Sequence, residues 1–172
     1  MVEHISPAVE HRAAAPDLVR CAILTVSDTR TPETDKSGLA IRHLLTVAGH
    51  EIADYAIVKD EPAQIRAQLE QWTTVGQIDA ILSNGGTGIA NRDTTYDVIA
   101  GLLEKRLDGF GELFRMISYQ EIGAAAMMSR AVAGVYRRRV IVAMPGSTNA
   151  VTVAMERLIV PELAHMVYEL RK

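Results

Sequence analysis

A glycine-rich turn, Asn84-Gly85-Gly86-Thr87-Gly88, closely follows a short apolar run, Ala80–Leu82. Glycine adopts positive φ angles and lets backbone N–H groups approach a ligand closely. The helix predicted to start near Thr94 adds a dipole that favours an anion at its N-terminus. The turn could therefore hold a phosphate or a carboxylate, and tight-turn geometry without a ligand is an equal alternative. It lacks the Gly-Lys-Ser/Thr ending of a P-loop and the dinucleotide-binding fingerprint.

Two aspartates stand beside predicted helix starts. Asp93 ends the glycine-rich loop, and Asp60 precedes Glu61-Pro62. Either carboxylate could be a helix N-cap that accepts backbone amide hydrogen bonds. Alternatively, the pair could hold Mg²⁺ beside a phosphate, because Mg²⁺ prefers oxygen ligands and completes its coordination with substrate phosphates. The residue types leave both interpretations open.

A second strand-to-helix turn, Pro145-Gly146-Ser147, follows the apolar run Val140–Met144. Ser147 is a good N-cap residue. The start of the following helix could also form a second anion site. The turn is therefore a candidate for substrate binding.

Other reactive residue types favour structural roles. Cys21 opens an apolar run and predicts a buried thiol. The five histidines are scattered without metal-ligand spacing. Arg137-Arg138-Arg139 is typical of a solvated turn, and Met127-Met128 is predicted to fill the core.

Strand and helix patterns alternate along the chain. We predict strands at Cys21–Val26, Ile52–Val58, Ala80–Leu82 and Val140–Met144. We predict helices around Ile41–Ala48, from Asp60-Glu61-Pro62, from near Thr94, at Gly111–Tyr119, around Val151–Leu158, and from Pro161, which begins or kinks a final helix, to Leu170. The stretch Ala131–Val135 fits either a strand or one arm of a hairpin.

Strands separated by helices require parallel crossovers, so the fold class is α/β, a three-layer α/β/α domain with a mostly parallel central sheet. Ligands of such sheets bind beyond the carboxyl ends of the strands. Three segments are predicted to lie there: Ser27-Asp28, the loop from Asn84 to Asp93, and Pro145–Ser147.

The bulk properties fit a single domain. The chain has 172 residues, which we divide into a flexible N-terminal arm, residues 1–17, and one domain, residues 18–172. A net charge of −3 gives no general attraction to nucleic acid or to an anionic membrane. We see no signal peptide and no apolar run of membrane-spanning length. Together with the single cysteine, this predicts a cytoplasmic protein.

The segment Asn84 to Asp93 resembles the GGTG-x-x-x-R-D signature of the MoaB/Mog molybdopterin-binding family. Further blocks occur in the order typical of that family, and the likeness extends from Cys21 to about Leu163. These blocks are Ile23–Asp28, Asp35–Gly38, Val58–Glu61, Gly109–Glu112 with Phe114-Arg115, Ser129–Gly134 and Met144–Ser147. Details such as Ala131–Val135 and Ala143–Thr148 are more similar to the MoaB branch than to the Mog branch.

The resemblance implies a molybdopterin adenylyltransferase of molybdenum cofactor biosynthesis. Such an enzyme transfers an adenylyl group from Mg-ATP to the terminal phosphate of molybdopterin and releases pyrophosphate. The essential aspartates of adenylating relatives match Asp60 and Asp93, which are therefore expected to be catalytic and to bind Mg²⁺. Some MoaB-type proteins that lack the first aspartate are considered not to adenylate, so the presence of Asp60 favours activity.

The expected substrate-binding residues are the polar and glycine positions of the three turns. They are Ser27, Asp28, Gly85, Gly86, Thr87, Gly88, Arg92, Pro145, Gly146 and Ser147. The family further implies a homotrimer or hexamer and a molybdenum-inserting enzyme as the partner that receives the product. We expect no nucleic-acid partner and no membrane partner.

Two other functions compete with this interpretation. A non-catalytic molybdopterin-binding or scaffold protein of the same pathway would bind the pterin without turning over ATP. An unrelated nucleotide- or phosphosugar-binding enzyme would share the fold alone and would have no affinity for molybdopterin. The retained Asp60 and Asp93 favour the adenylyltransferase.

Overall fold

The computed structural model describes residues 14–74 and 77–172. Most of the predicted flexible arm, residues 1–13, lies outside them, and residues 14–17 form a turn and bend before the first strand. The elements in chain order are β1 (Arg20–Val26), α1 (Lys36–Val47), β2 (Glu51–Val58), α2 (Pro62–Thr74), β3 (Ala80–Asn84), α3 (Thr95–Leu102), β4 (Lys105–Arg106), α4 (Asp108–Ile122), β5 (Val132–Tyr136), β6 (Arg139–Met144), α5 (Thr148–Ala154) and α6 (Val160–Arg171). A short 3₁₀ segment, Gly123–Met128, follows α4, and a turn of π-helix, Met155–Ile159, joins α5 to α6.

The six strands form one sheet in the order β2-β1-β3-β6-β5-β4. The pairs β1–β2, β1–β3 and β3–β6 are parallel, while β5 is antiparallel to both β6 and β4. The predicted mostly parallel sheet is therefore confirmed. The antiparallel edge arises because β5 and β6 form a hairpin. The stretch Ala131–Val135, for which a strand or one arm of a hairpin was predicted, therefore belongs to a hairpin.

Helices cover both faces of the sheet, as a three-layer fold requires. On one face the buried side chains of α1, α4, α5 and α6, such as Ile41, Phe114 and Leu163, pack against Ile23, Leu82 and Val142 of the sheet. The buried residues of α2 and α3 cover the other face, with Ile65, Leu69, Trp72, Val98 and Ile99 packed on Leu24 and Ile81. A strand that is buried on both faces has a continuous run of apolar residues. This pattern explains why the sequence predicted such strands.

Several local predictions need correction. The fourth helix runs from Asp108 to Ile122 rather than over Gly111–Tyr119, and the two-residue strand Lys105–Arg106 was not predicted. The prediction that Met127-Met128 fills the core is wrong, because these side chains are 81% and 53% exposed. The short 3₁₀ segment does not fold them onto the sheet.

The prediction of a buried Cys21 thiol is confirmed. The thiol of Cys21 is fully buried, and burial followed by the nearby Asp79 charge raises its pKa to about 12, so it is not a nucleophile at neutral pH. The solvated turn predicted for Arg137–Arg139 is confirmed for Arg137 and Arg138, which form the exposed turn of the β5–β6 hairpin with positive φ, whereas Arg139 is the partly buried first residue of β6. Among the described residues, no helix is long and apolar enough to span a membrane.

Two leucines of α1 test how much stability the covered face contributes. Leu45 is fully buried against the sheet, whereas Leu39 is 51% exposed. Leu45→Ala should lower the free energy of unfolding by about 2–5 kcal/mol, because the lost side chain leaves a cavity. The matched Leu39→Ala should stay within about 1 kcal/mol of the parent in urea unfolding. Equal losses from both variants would contradict the assigned packing of α1.

Candidate functional site

Three turns meet at the carboxyl edge of the sheet because β1, β3 and β6 are neighbours and end in register. Thr25 pairs with Asn84, and Asn84 pairs with Met144. The chain leaves β3 through Gly85, whose N–H donates to the Met144 carbonyl at 3.1 Å. The predicted convergence of the three segments at this edge is confirmed in position.

The turns enclose a cavity of about 400 Å³, here called the glycine pocket. Gly85–Gly88 and Pro145–Ser147 form two of its walls, and Met128–Arg130 form a third. Arg30 and Asp93 complete the lining. Of the predicted substrate-binding residues, those in the two glycine-containing turns line this pocket.

The backbone at Gly85 and Gly146 requires glycine for steric reasons. Gly85 has φ of +95°, and a Cβ there would collide with the Val26 carbonyl oxygen. A Cβ on Gly146 would lie 2.9 Å from the Gly85 Cα. Tight-turn packing thus accounts for these two glycines, and the same packing leaves backbone groups at the floor of the pocket.

Asp60 is buried beneath the glycine turn and does not cap its own helix. Its Oδ1 accepts hydrogen bonds from the Thr94 N–H at 3.0 Å and the Thr94 hydroxyl at 2.7 Å. Its Oδ2 lies beside Gly86, where a Cβ would collide with it. The N-cap alternative for Asp60 is therefore wrong, and the carboxylate instead ties the end of β2 to the loop before α3.

Thr95 lies on the same side of Gly86 as the Asp60 carboxylate. Its Oγ1 is buried and has no hydrogen-bond partner among the described residues. Like Asp60 Oδ2, it would collide with a Cβ on Gly86. Because a buried unpaired hydroxyl is costly, this position can accept or donate one further hydrogen bond.

Asp93 folds the loop rather than capping α3. Its Oδ2 accepts from the Ala90 N–H at 2.8 Å and lies against Gly88. Asp93 lines the glycine pocket and also a neighbouring cavity of about 570 Å³, here called the outer cavity. The outer cavity is lined by Pro62, Arg66, Ile89, Ala90, Asn91, Asp93, Thr94, Asp97, Val98 and Arg130.

Asp60 and Asp93 carry carboxylate oxygens, the ligand type that Mg²⁺ prefers. Each carboxylate keeps one oxygen, Asp60 Oδ2 and Asp93 Oδ1, without a hydrogen bond from the described residues. No group of three or more His, Cys, Asp or Glu side chains in the described chain could hold a metal. A pair of carboxylates suits a cation that takes its other ligands from phosphates and water.

Arg130 clamps the glycine turn from outside the predicted motif. Its Nε donates to the Thr87 carbonyl at 3.0 Å, and its Nη2 donates to the carbonyls of Gly88 and Asp93 at 2.8 and 3.1 Å. Its Nη1 donates to both carboxylate oxygens of Asp97. Its Nε and Nη2 are thereby used on loop carbonyls and its Nη1 on Asp97, so Arg130 shapes the loop. The motif pattern did not single it out.

The other predicted binding residues differ in whether they line the glycine pocket. The Ser27 hydroxyl accepts from the N–H groups of Thr29 and Arg30, and Asp28 forms an ion pair with Arg92 at 3.0 Å. These three predicted residues, Ser27, Asp28 and Arg92, do not line the glycine pocket. Ser147 does line it, and its hydroxyl caps α5 by accepting from the Ala150 N–H. The N-cap interpretation of Ser147 is therefore confirmed.

A buried carboxylate network that the residue pattern did not predict holds one wall of the pocket. Asp35 Oδ2 accepts from the hydroxyls of Thr25 and Tyr55 at 2.6 and 2.7 Å. Its Oδ1 accepts from the Gly38 N–H at 3.0 Å and from Arg30 Nη1 at 3.2 Å. Asp35 thereby connects α1, β1 and β2 to an arginine of the pocket.

The electrostatics of Asp35 follow from this network. Burial alone would raise its pKa, but the hydrogen bonds from Thr25, Gly38 and Tyr55 and the charge of Arg30 outweigh burial, so the pKa is lowered. Burial, followed by the hydrogen bond and charge of Asp35, raises the pKa of Tyr55. Asp35 is thus ionised and Tyr55 is a neutral donor at physiological pH.

Together these features define an α/β protein with a glycine-lined pocket and two aspartates at the carboxyl edge of a parallel sheet. Comparison with known proteins agrees: residues 22–165 match the family described as "Probable molybdopterin binding domain". Molybdenum cofactor biosynthesis protein B of Halalkalibacterium halodurans is 56% identical over 95% of this chain and 96% of its own length. The Bacillus subtilis protein of the same name is 55% identical with the same coverage.

Solved structures agree as well. A crystal structure of a molybdenum cofactor biosynthesis protein B has a TM-score of 0.88 and 51% identity, covering 91% of this chain and 98% of that one. The tungsten cofactor synthesizing protein MoaB of Pyrococcus furiosus has a TM-score of 0.82 and 36% identity, covering 92% and 100%. The chain belongs to the MoaB/Mog family of molybdenum cofactor biosynthesis proteins.

The clamp formed by Arg130 can be tested by substitution. Arg130→Gln removes hydrogen bonds to three loop carbonyls and should cost about 2–3 kcal/mol of stability. Hydrogen exchange of the amides in residues 85–94 should accelerate more than exchange elsewhere. Arg106→Gln is a matched control, because the exposed Arg106–Asp108 pair contributes about 0–1 kcal/mol. Equal protection of the loop in both variants would show that Arg130 does not hold it.

The Asp35 network predicts a pH-dependent stability. Because the pKa of Asp35 is lowered on folding, its contribution is present above the unfolded-state value of about 3.9 and is lost as pH falls through the folded-state pKa. Tyr55→Phe removes one charge-assisted hydrogen bond and should cost about 1.5–3 kcal/mol at neutral pH. The difference from the parent should shrink in acid, as measured by denaturant unfolding across pH.

Tyr96→Phe is the control for this measurement, because the Tyr96 hydroxyl forms an exposed hydrogen bond with Arg106 at 3.3 Å. Its unfolding free energy should follow that of the parent at every pH. A Tyr55→Phe deficit that stayed constant down to strongly acidic pH would mean that the hydroxyl does not act through ionised Asp35.

Proposed function

We propose that this chain is a molybdopterin adenylyltransferase, which transfers the adenylyl group of ATP to the terminal phosphate of molybdopterin. The observation that carries the proposal is the pair of aspartates at alternate glycines of one turn. Asp60 lies at Gly86 and Asp93 at Gly88, each with a carboxylate oxygen that accepts no hydrogen bond. One or two carboxylates are the usual protein ligands of a Mg²⁺ ion bound beside substrate phosphates.

The two adjoining cavities support a reaction between two substrates. The glycine pocket would hold molybdopterin and its phosphate, with backbone amides of Gly86–Gly88 and the Pro145–Ser147 turn as contacts. The outer cavity, of about 570 Å³, would take ATP. Asp93 and Arg130 line both cavities, so ligands bound in them would meet at Asp93.

The chemistry is a displacement at phosphorus. An oxygen of the molybdopterin phosphate attacks the α-phosphorus of ATP, and the bond from that phosphorus to the bridging oxygen breaks. Pyrophosphate leaves with the electron pair. A phosphate monoester is anionic near neutral pH, so the reaction needs no strong general base.

The protein therefore contributes position and charge. Asp60 and Asp93 would hold Mg²⁺, which supplies neutralisation of the phosphate charge when bound. Thr94 fixes the orientation of Asp60 through two hydrogen bonds, and Arg130 fixes the turn that carries the amides. Asp28 and Arg92, paired at the rim, are the outermost candidates for substrate contact, and Ser27 orders the turn behind them.

We further propose that the chain works as a homotrimer or hexamer and delivers its product to a molybdenum-inserting enzyme. A row of apolar side chains on α4 supports self-association, because Leu113, Met116, Tyr119 and Ile122 are each between 47% and 63% exposed. Isolated exposed apolar residues are ordinary, whereas a row on one helix favours an interface.

A non-catalytic molybdopterin-binding role is the second candidate. The structural use of both aspartates favours it: Asp60 ties Thr94 to β2, and Asp93 accepts from Ala90. In that case the carboxylates would shape the pocket and would not act on ATP.

The deciding experiment supplies purified protein with molybdopterin and Mg-ATP and measures adenylated molybdopterin and pyrophosphate. Asp60→Asn and Asp93→Asn should each lower kcat by about a hundredfold or more, because a group that stabilises transferred charge is lost. Asp108→Asn should leave turnover unchanged, since its carboxylate is exposed beside Arg106. Molybdopterin binding without product by the parent protein would favour the non-catalytic role.

A further inference from the structure

Arg30 lines the glycine pocket, and some of its N–H groups donate to no described residue. It follows the Ser27 turn, and its side chain is 28% exposed. Its Nη1 donates to Asp35 Oδ1 at 3.2 Å and to Asn84 Oδ1 at 3.4 Å, and its Nη2 donates to the Gly146 carbonyl at 2.7 Å. Within the described chain, the Nε hydrogen and the second Nη2 hydrogen have no acceptor.

This distribution separates Arg30 from Arg130, the other arginine of the pocket wall. Arg130 uses its Nε and Nη2 on loop carbonyls and its Nη1 on Asp97. A guanidinium binds an oxyanion through two N–H groups, and the Nε–H and one Nη2–H of Arg30 are the groups that donate to no described residue. Arg30 therefore keeps the donor edge that Arg130 has lost.

The position of Arg30 is set by buried groups, so the side chain is held before any ligand arrives. Asp35 is fully buried and is itself fixed by Thr25, Gly38 and Tyr55. Ser37 donates to the same Gly146 carbonyl that accepts from Arg30, at 2.8 Å. A cation held in this way loses less conformational entropy when it binds an anion.

We propose that Arg30 is the anion-recognising residue of the glycine pocket, and that Asp35 and Tyr55 are the positioning residues that hold its guanidinium toward a phosphate monoester. The inference deepens the proposed function by naming the group that would receive the substrate phosphate. The test needs no catalytic turnover, because the inference concerns binding of an oxyanion to the resting protein. The backbone amides of Gly86–Gly88, which line the same pocket, would supply further donors around the anion, whereas the Gly85 amide is used on Met144.

The test uses inorganic phosphate as the probe, titrated into the full chain at pH 7.5 and followed by ³¹P NMR line broadening or calorimetry. Arg30→Gln should weaken phosphate binding about tenfold or more, because a charge-assisted, two-donor contact is lost. Arg30→Lys should restore part of the affinity through its charge but not the two-donor geometry. Arg20→Gln, the same charge change at the other end of β1, should bind like the parent.

Tyr55→Phe tests the positioning role through the pH dependence of sulfate affinity, which a change in folding stability alone would not alter. Sulfate keeps its charge between about pH 5 and pH 8, whereas Asp35 becomes easier to protonate when the Tyr55 hydroxyl is removed. Sulfate affinity of Tyr55→Phe should fall below that of the parent, and the loss should grow as the pH is lowered. A sulfate affinity that tracks the parent at every pH would overturn the positioning role.

The outcomes also separate this inference from the adenylyltransferase proposal. Phosphate binding that depends on Arg30, in a protein that does not adenylate, would support the inference and reject the reaction. Adenylation by a protein whose Arg30→Gln variant keeps the parent phosphate affinity and the parent KM for molybdopterin would overturn the inference alone. Absence of saturable phosphate binding by the parent would overturn it too.

Discussion

The site depends on one constraint, the parallel, in-register ending of β1, β3 and β6. Thr25, Asn84 and Met144 lie side by side on adjacent strands, so the three following turns must leave the sheet at the same edge. Asn84 reinforces the register by donating from Nδ2 to the Thr25 hydroxyl at 2.9 Å. A slip of one residue would reverse the faces of every side chain in a strand and would separate the turns.

Three layers of polar contacts convert this edge into a shaped pocket. Beneath the glycine turn, the Asp60 carboxylate accepts from Thr94, and above it Arg130 donates to three loop carbonyls. Behind the pocket, Asp35 joins Tyr55 and Thr25 to Arg30. Each layer uses a charged group with several hydrogen bonds, which holds backbone and side chains more firmly than neutral contacts.

The same layers relate stability to function. The hydrogen bonds of Asp60 and Asp93 stabilise the loop, yet each carboxylate keeps one oxygen beside a glycine. Thr95 adds a buried hydroxyl without a partner in the described chain. Groups that are buried but incompletely paired cost stability, and their concentration around Gly86 is the physical reason to expect a ligand there.

The sequence by itself determined the α/β layering, the glycine turns and the family, because buried strands and tight turns leave local signatures in residue type and spacing. It also supplied Asp60 and Asp93, but it left open whether each caps a helix, since a cap and a long-range acceptor share the same residue type. Only the tertiary structure decided that Asp60 bonds to Thr94, 34 residues away, and that Arg30 and Arg130 lie on the pocket. Those roles depend on which strands are neighbours, and no local spacing encodes that order.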